Sequence, residues 1–161
     1  MRGACDPAWL SVTGTGAPSR RALHAMVWTG REVIVWGGVD GETPRGDGAR
    51  YDPARNRWTA MSMVGAPAAR ASAAAVWTGT ALVVWGGRGM AGTLGDGARY
   101  DPVADRWTPV SAVGAPTPRA DAVAVWTGRE LFLWGGIADD GTRFDGARYD
   151  PASDRWRAVS A

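Results

Sequence analysis

The chain has 161 residues, 45% of them hydrophobic, and a formal net charge of +2. That length and composition fit one globular domain with a real core and exclude a disordered chain. Every Lys/Arg position is arginine and acids are interleaved with it, with no block of like charges and no long apolar run, so neither a nucleic-acid surface nor a membrane-spanning segment is indicated.

Residues 1–15 carry the only cysteine, Cys5, so no disulfide can form within the chain. No export signal is legible there. Trp9 stands 49 residues before Trp58, which makes residues 9–12 an expected extra outer strand. The remainder divides into three repeats, 16–64, 65–113 and 114–161. Each opens on Gly-Ala-Pro, and an arginine follows: Arg21, Arg70 or Arg119. A first strand, a, then ends at Trp28, Trp77 and Trp126, and Thr-Gly supplies a tight turn. Strand b is expected at 32–36, 81–85 and 130–134, in near-continuous β-branched and aromatic runs that suit burial on both faces. Gly37-Gly38, Gly86-Gly87 and Gly135-Gly136 end it, where a missing Cβ permits a turn or a close approach. A variable loop leads to strand c at 49–51 and its equivalents. Asp-Pro turns the chain there, and strand d begins at Arg57-Trp58, Arg106-Trp107 and Arg155-Trp156. No segment keeps helical periodicity over three turns, so the fold class expected is all-β.

A period of 49 residues built from strands and turns is the mark of propeller blades, which cannot bury their faces singly. Three blades fall short of the roughly four to eight that close a ring. The double glycines, Tyr51, Tyr100 and Tyr149 in strand c, and Trp58, Trp107 and Trp156 in strand d resemble the kelch repeat of bacterial type, from about residue 9 to the end. The resemblance implies four-stranded antiparallel blades, usually six or seven to a ring. Three blades are then half of a six-bladed β-propeller, closed by oligomerisation with a second copy of the chain. The Trp9 strand would belong to a preceding or partner blade. Similar bacterial kelch proteins are often secreted or periplasmic.

The ten tryptophans sit at repeat-related positions, which points to packing between blades rather than to sugar stacking. Arg21, Arg70 and Arg119, with His24 and Asp121, are placed at the mouth of the central channel. There the arginines either clamp a carboxylate or phosphate, or cap carbonyls and acids between neighbouring blades. The b–c loops, 39–46, 88–95 and 137–144, share a face with the d–a loops. Asp40, Glu42, Arg45, Arg88, Asp139, Asp140 and Arg143 make that face polar and mixed in charge, suited to a peptide, protein or sugar. Arg50, Arg99 and Arg148 are expected to form charge pairs with Asp47, Asp96 and Asp145. No nucleophile elbow, phosphate loop or metal-ligand motif occurs. Kelch-type copper oxidases use several histidines and tyrosines with a cysteine, a set that one histidine and three strand-c tyrosines do not supply. The expected function is a non-catalytic, self-assembling scaffold without cofactor. The competing readings are a carbohydrate-active enzyme of the kelch type, epimerase- or mutarotase-like, and an inactive fragment of a larger secreted kelch protein.

Overall fold

Short runs such as Val-Ile-Val-Trp and Leu-Val-Val-Trp have strong strand preference and no polar face, so they need cover on both sides. In the computed structural model, which describes residues 11–159, each run becomes the second strand of a four-stranded antiparallel blade. The first blade consists of β1 (Ala25–Trp28), β2 (Val33–Trp36), β5 (Gly48–Asp52) and β6 (Arg57–Ala60), in that spatial order. A small hairpin, β3 (Val39–Asp40) and β4 (Thr43–Pro44), interrupts it. The second blade is β7 (Ala74–Trp77), β8 (Leu82–Trp85), β11 (Gly97–Asp101) and β12 (Arg106–Pro109), with β9 (Arg88–Gly89) and β10 (Gly92–Thr93) as its hairpin. The third is β13 (Val123–Trp126), β14 (Leu131–Trp134), β17 (Gly146–Asp150) and β18 (Arg155–Val159), with β15 (Ile137–Ala138) and β16 (Gly141–Thr142). The inner strands β1, β7 and β13 lie side by side. Cys5 and Trp9 lie outside the described residues, as does half of the extra strand expected at 9–12.

Register explains the conserved wording of the repeats. Tyr100 faces Trp107 across β11 and β12, and Trp85 faces Gly97 across β8 and β11. A Cβ on Gly97 would strike the Val84 carbonyl and stand 3.0 Å from the Trp85 Cα, so the indole-bearing strand requires a glycine opposite it. The loops expected to be merely variable are instead pinned. Each carries a hairpin, and single bridges join Ala22 to Val39, Ala71 to Arg88 and Ala120 to Ile137.

The core lies between blades, not within them. One cluster joins Ala25, Ile34, Trp36 and Met61 of the first blade to Leu82, Val84, Ala98, Tyr100 and Trp107 of the second. Its equivalent joins Val76, Val83, Trp85 and Val110 to Leu131, Leu133, Tyr149 and Trp156. At each junction three aromatics pack in series, tilted or edge-on to one another: Trp36, Trp107 and Tyr100 at ring separations of 5.1 Å, then Trp85, Trp156 and Tyr149 at 5.4 and 4.9 Å. Only the middle blade is covered on both sides. Val76 is 6% exposed, whereas its equivalent Val125 on the third blade is 54% exposed. Met26 and Trp28 on the far side of the first blade are likewise exposed.

Trp85→Ala removes a fully buried indole from a junction. It is expected to destabilise the chain by about 3–5 kcal/mol in urea unfolding. A loss below about 1 kcal/mol would contradict a core made of blade junctions.

Candidate functional site: blade junctions and loop face

Each repeat arginine precedes its inner strand and turns its side chain back into its own blade. Arg70 Nε donates to the Ala68 carbonyl at 2.8 Å, and Nη1 donates to the carbonyls of Gly86 and Asp96 at 3.0 Å each. Nη2 donates to the Asp96 carboxylate at 3.1 Å. Arg21 and Arg119 repeat the arrangement with Gly37 and Asp47, and with Gly135 and Asp145. Arg70 and Arg119 are 0% and 1% exposed. Of the two roles weighed for them, the arginines take the capping one, with the difference that the side chains cap carbonyls and an acid of their own blade rather than of a neighbour, because the planar fork of donors matches the groups flanking strands b and c.

The main chain of the same residue reaches the other way. The Arg70 N–H donates to the Arg45 carbonyl at 3.0 Å, and the Gly38 N–H donates to the Arg70 carbonyl at 2.8 Å. Arg119 repeats this with Leu94 and Gly87. The approach is tight enough to demand glycine. Gly37 and Gly86 have φ of +69° and +68°, and a Cβ on Gly37 would lie 2.8 Å from the Arg70 carbonyl oxygen of the next blade. Arg70 and Arg119 are therefore the joints between neighbouring blades.

Further bonds repeat at each joint. Arg50 Nη1 donates to the Pro102 carbonyl of the next blade at 2.8 Å, and Arg99 to Pro151 at 2.7 Å. The expected Arg50–Asp47 pairing is not formed. Arg50 and Arg148 pair with Glu32 and Glu130, while Asp47, Asp96 and Asp145 pair with Arg21, Arg70 and Arg119. Tyr100 donates its hydroxyl proton to Asp105 at 2.5 Å, and the same oxygen accepts the Ser62 N–H of the preceding blade at 3.0 Å. Tyr149, Asp154 and Ser111 do likewise. Sequence reasoning missed these acceptors. The signal was the recurrence of Asn56, Asp105 and Asp154 five residues after each tyrosine.

The two ends of the half-ring expose the unmatched halves of this joint. Among the described residues, the Gly136 N–H and the Arg143 carbonyl have no main-chain partner, and neither do the N–H and carbonyl of Arg21. Among the described residues Arg148 bonds to no proline carbonyl, and Trp134 stacks only on Phe132 of its own strand.

On the loop face, Asp40 pairs with Arg45 at 2.8 Å and Arg20 at 3.4 Å. Arg88 pairs with Asp139 of the neighbouring blade at 3.4 Å, and Arg143 with Asp140. Leu23, Ser72 and Asp121, each just before its inner strand, form an arc across the three blades. The Ser72 N–H donates to the Leu23 carbonyl at 2.9 Å and the Asp121 N–H to the Ser72 carbonyl at 3.0 Å. His24 packs against Gly38, and its Nδ1 is buried without a partner among the described residues. Among the described residues no three His, Cys, Asp or Glu side chains group as metal ligands.

Three blades built on double glycines, strand-c tyrosines and strand-d tryptophans agree with the comparison to known families. The profile of the KLHDC2/KLHL20/DRC7 Kelch-repeats domain matches residues 6–161. The chain belongs to the kelch-repeat family. No curated protein matches it. Kelch-repeat domains are typically protein-binding scaffolds.

The kelch joints also set the acid behaviour of the chain. The bond from Arg21 holds the Asp47 carboxyl below its ordinary range, and Arg119 does the same for Asp145. Tyr100, then the Ser62 N–H, lower Asp105. Burial, then the bond to Asp105, pushes the Tyr100 hydroxyl well above its usual range. Because these carboxyls titrate lower folded than unfolded, the unfolded chain takes up protons first as pH falls through about 4. Their contribution is complete above that range and is lost below it. Tm is expected to be flat from pH 7 to about 5 and to fall below about 4. A Tm that rises on acidification would contradict the assignment.

Arg70→Lys keeps the charge and loses the fork. Buried carbonyls left without donors cost about 1–3 kcal/mol each, so a loss of about 3 kcal/mol or more is expected in thermal unfolding. A neutral substitution would contradict the joint.

Proposed function

We propose that two copies of this kelch half-propeller close head to tail into a six-bladed ring, and that the ring is a non-catalytic scaffold binding a protein or peptide on its loop face. The observation that carries this reading is the complementarity of the two open ends. The third blade offers an N–H and a carbonyl at Gly136 and Arg143, where the first blade offers a carbonyl and an N–H at Arg21. These are the same groups that bond at both internal joints. The side chains agree: Val123, Val125, Phe132 and Trp134 stand where Ala74, Val76, Val83 and Trp85 are buried. In the ring, Trp134 meets Trp58 and Tyr51 of the partner, repeating the aromatic series of the internal joints.

The segment before the first blade fits the same plan. The Thr13 carbonyl accepts the Trp58 indole N–H at 3.0 Å, and the Thr13 N–H donates to Asn56 at 2.9 Å. Ser62 and Ser111 make these contacts at the internal joints. Thr13 thus holds, beside the first blade, the place that Ser62 and Ser111 hold beside the second and third. The epimerase-like alternative draws no support from Arg21, Arg70 and Arg119, since their guanidiniums are held within their blades.

Val125→Asp puts a charge on a surface that is exposed in one chain and buried in the ring. The native protein is expected to sediment as two chains and the variant as one, with its strand signature in circular dichroism retained. A variant that still sediments as two chains would contradict the seam.

A further inference from the structure

Where the loop face meets the channel mouth, a cavity of about 300 Å³ opens between the first two blades. That is the lower end of the size range of small-ligand sites. Leu23, Val39, Pro44 and Ala71 make its apolar floor, and Glu42, Arg88 and Asp121 stand around it.

Leu23, Ser72 and Asp121 hold φ of +54°, +53° and +55°, the left-handed region. The conformation disfavours a leucine in particular, and residues held there are enriched at binding sites. Leu23 is nonetheless 61% exposed, so packing within its own chain does not offset the strain. The charge pattern is selective as well. Asp40, Asp139 and Asp140 on this face each have an arginine, and the cavity's own Arg88 is held by Asp139. Glu42 and Asp121 are exposed and form no ion pair among the described residues. An apolar floor between two uncompensated carboxylates selects a cation beside an apolar group. The arc runs over all three blades, a shape that fits an extended chain better than a compact amine.

We propose that this cleft binds an extended peptide segment in which an apolar side chain is flanked by arginine or lysine. Leu23 and the floor take the apolar side chain, while Glu42 and Asp121 take the cations. The proposal deepens the scaffold reading, but the cleft is complete within one chain and does not require ring closure.

The test uses dye-labelled, end-capped peptides with an Arg-Leu-Arg or a Glu-Leu-Glu core, titrated by fluorescence anisotropy at low and moderate salt. The basic peptide is expected to bind, more weakly as salt rises, and the acidic one not to bind. The Glu42→Gln, Asp121→Asn double variant is expected to lose about tenfold or more in affinity. Leu23→Asn is expected to weaken binding by about tenfold while Tm holds or rises, because asparagine tolerates this φ. The proposal is overturned if the basic peptide fails to bind, if the acidic peptide binds as tightly, or if either variant binds like the native protein. Light scattering on the same samples separates the two readings. A one-chain mass counts against the ring and leaves the titration to decide the cleft.

Discussion

In the second and third repeats one buried arginine holds two blades in fixed relation. Its side chain closes its own blade by reaching the carbonyls after strand b and before strand c, and its main chain bonds to the hairpin end of the blade before it. A guanidinium suits the place because its five donors are planar and permanently charged, so several carbonyls can be met at once without loss of the proton. The double glycine follows from this, since the joint brings main chain against main chain. The aromatic series then fills the space outside the joint. Stability is shared between neighbours, as in other repeat proteins, and a blade without a neighbour lacks half of its core.

Much of the architecture was legible because it is written three times. Trp85 and Gly97 reveal their pairing by recurring in every repeat, and β8 reads as buried because all four of its residues are apolar. The roles of the charged residues were not legible. Asp47 and Arg50 are close in sequence, but Asp47 lies just before β5 and is taken by Arg21, while Arg50 lies within β5 and pairs with Glu32. Arg50 instead follows Ile34 onto the face that meets the next blade. Arg70 reaches groups 16 and 26 residues away, and nothing in the linear pattern tells a guanidinium that turns into its blade from one that faces a channel. The left-handed arc at Leu23, Ser72 and Asp121 was hidden for another reason: leucine and serine carry no signal for that conformation.

Departures from the repeat are where function is read. The internal joints leave little room for variation, since their main-chain groups are paired and their side chains interlock. What differs between blades is gathered on the hairpins and before the inner strands: Glu42, the Arg88–Asp139 bridge, His24 in place of alanine, and Asp121. A rigid wall carrying variable short loops is a general design for recognition. The proposed ring and the proposed cleft are independent uses of this design, one taking the blade faces and the other the loop side.

The central claim is that the open ends are two halves of the same joint that links the internal blades. The most direct measurement is hydrogen exchange at the amides of Gly38, Gly87 and Gly136 in one sample. The account predicts comparable protection at all three, because the Gly136 N–H would donate to the partner's Arg21 carbonyl as the other two donate to Arg70 and Arg119. Protection at Gly38 and Gly87 with fast exchange at Gly136 would contradict it.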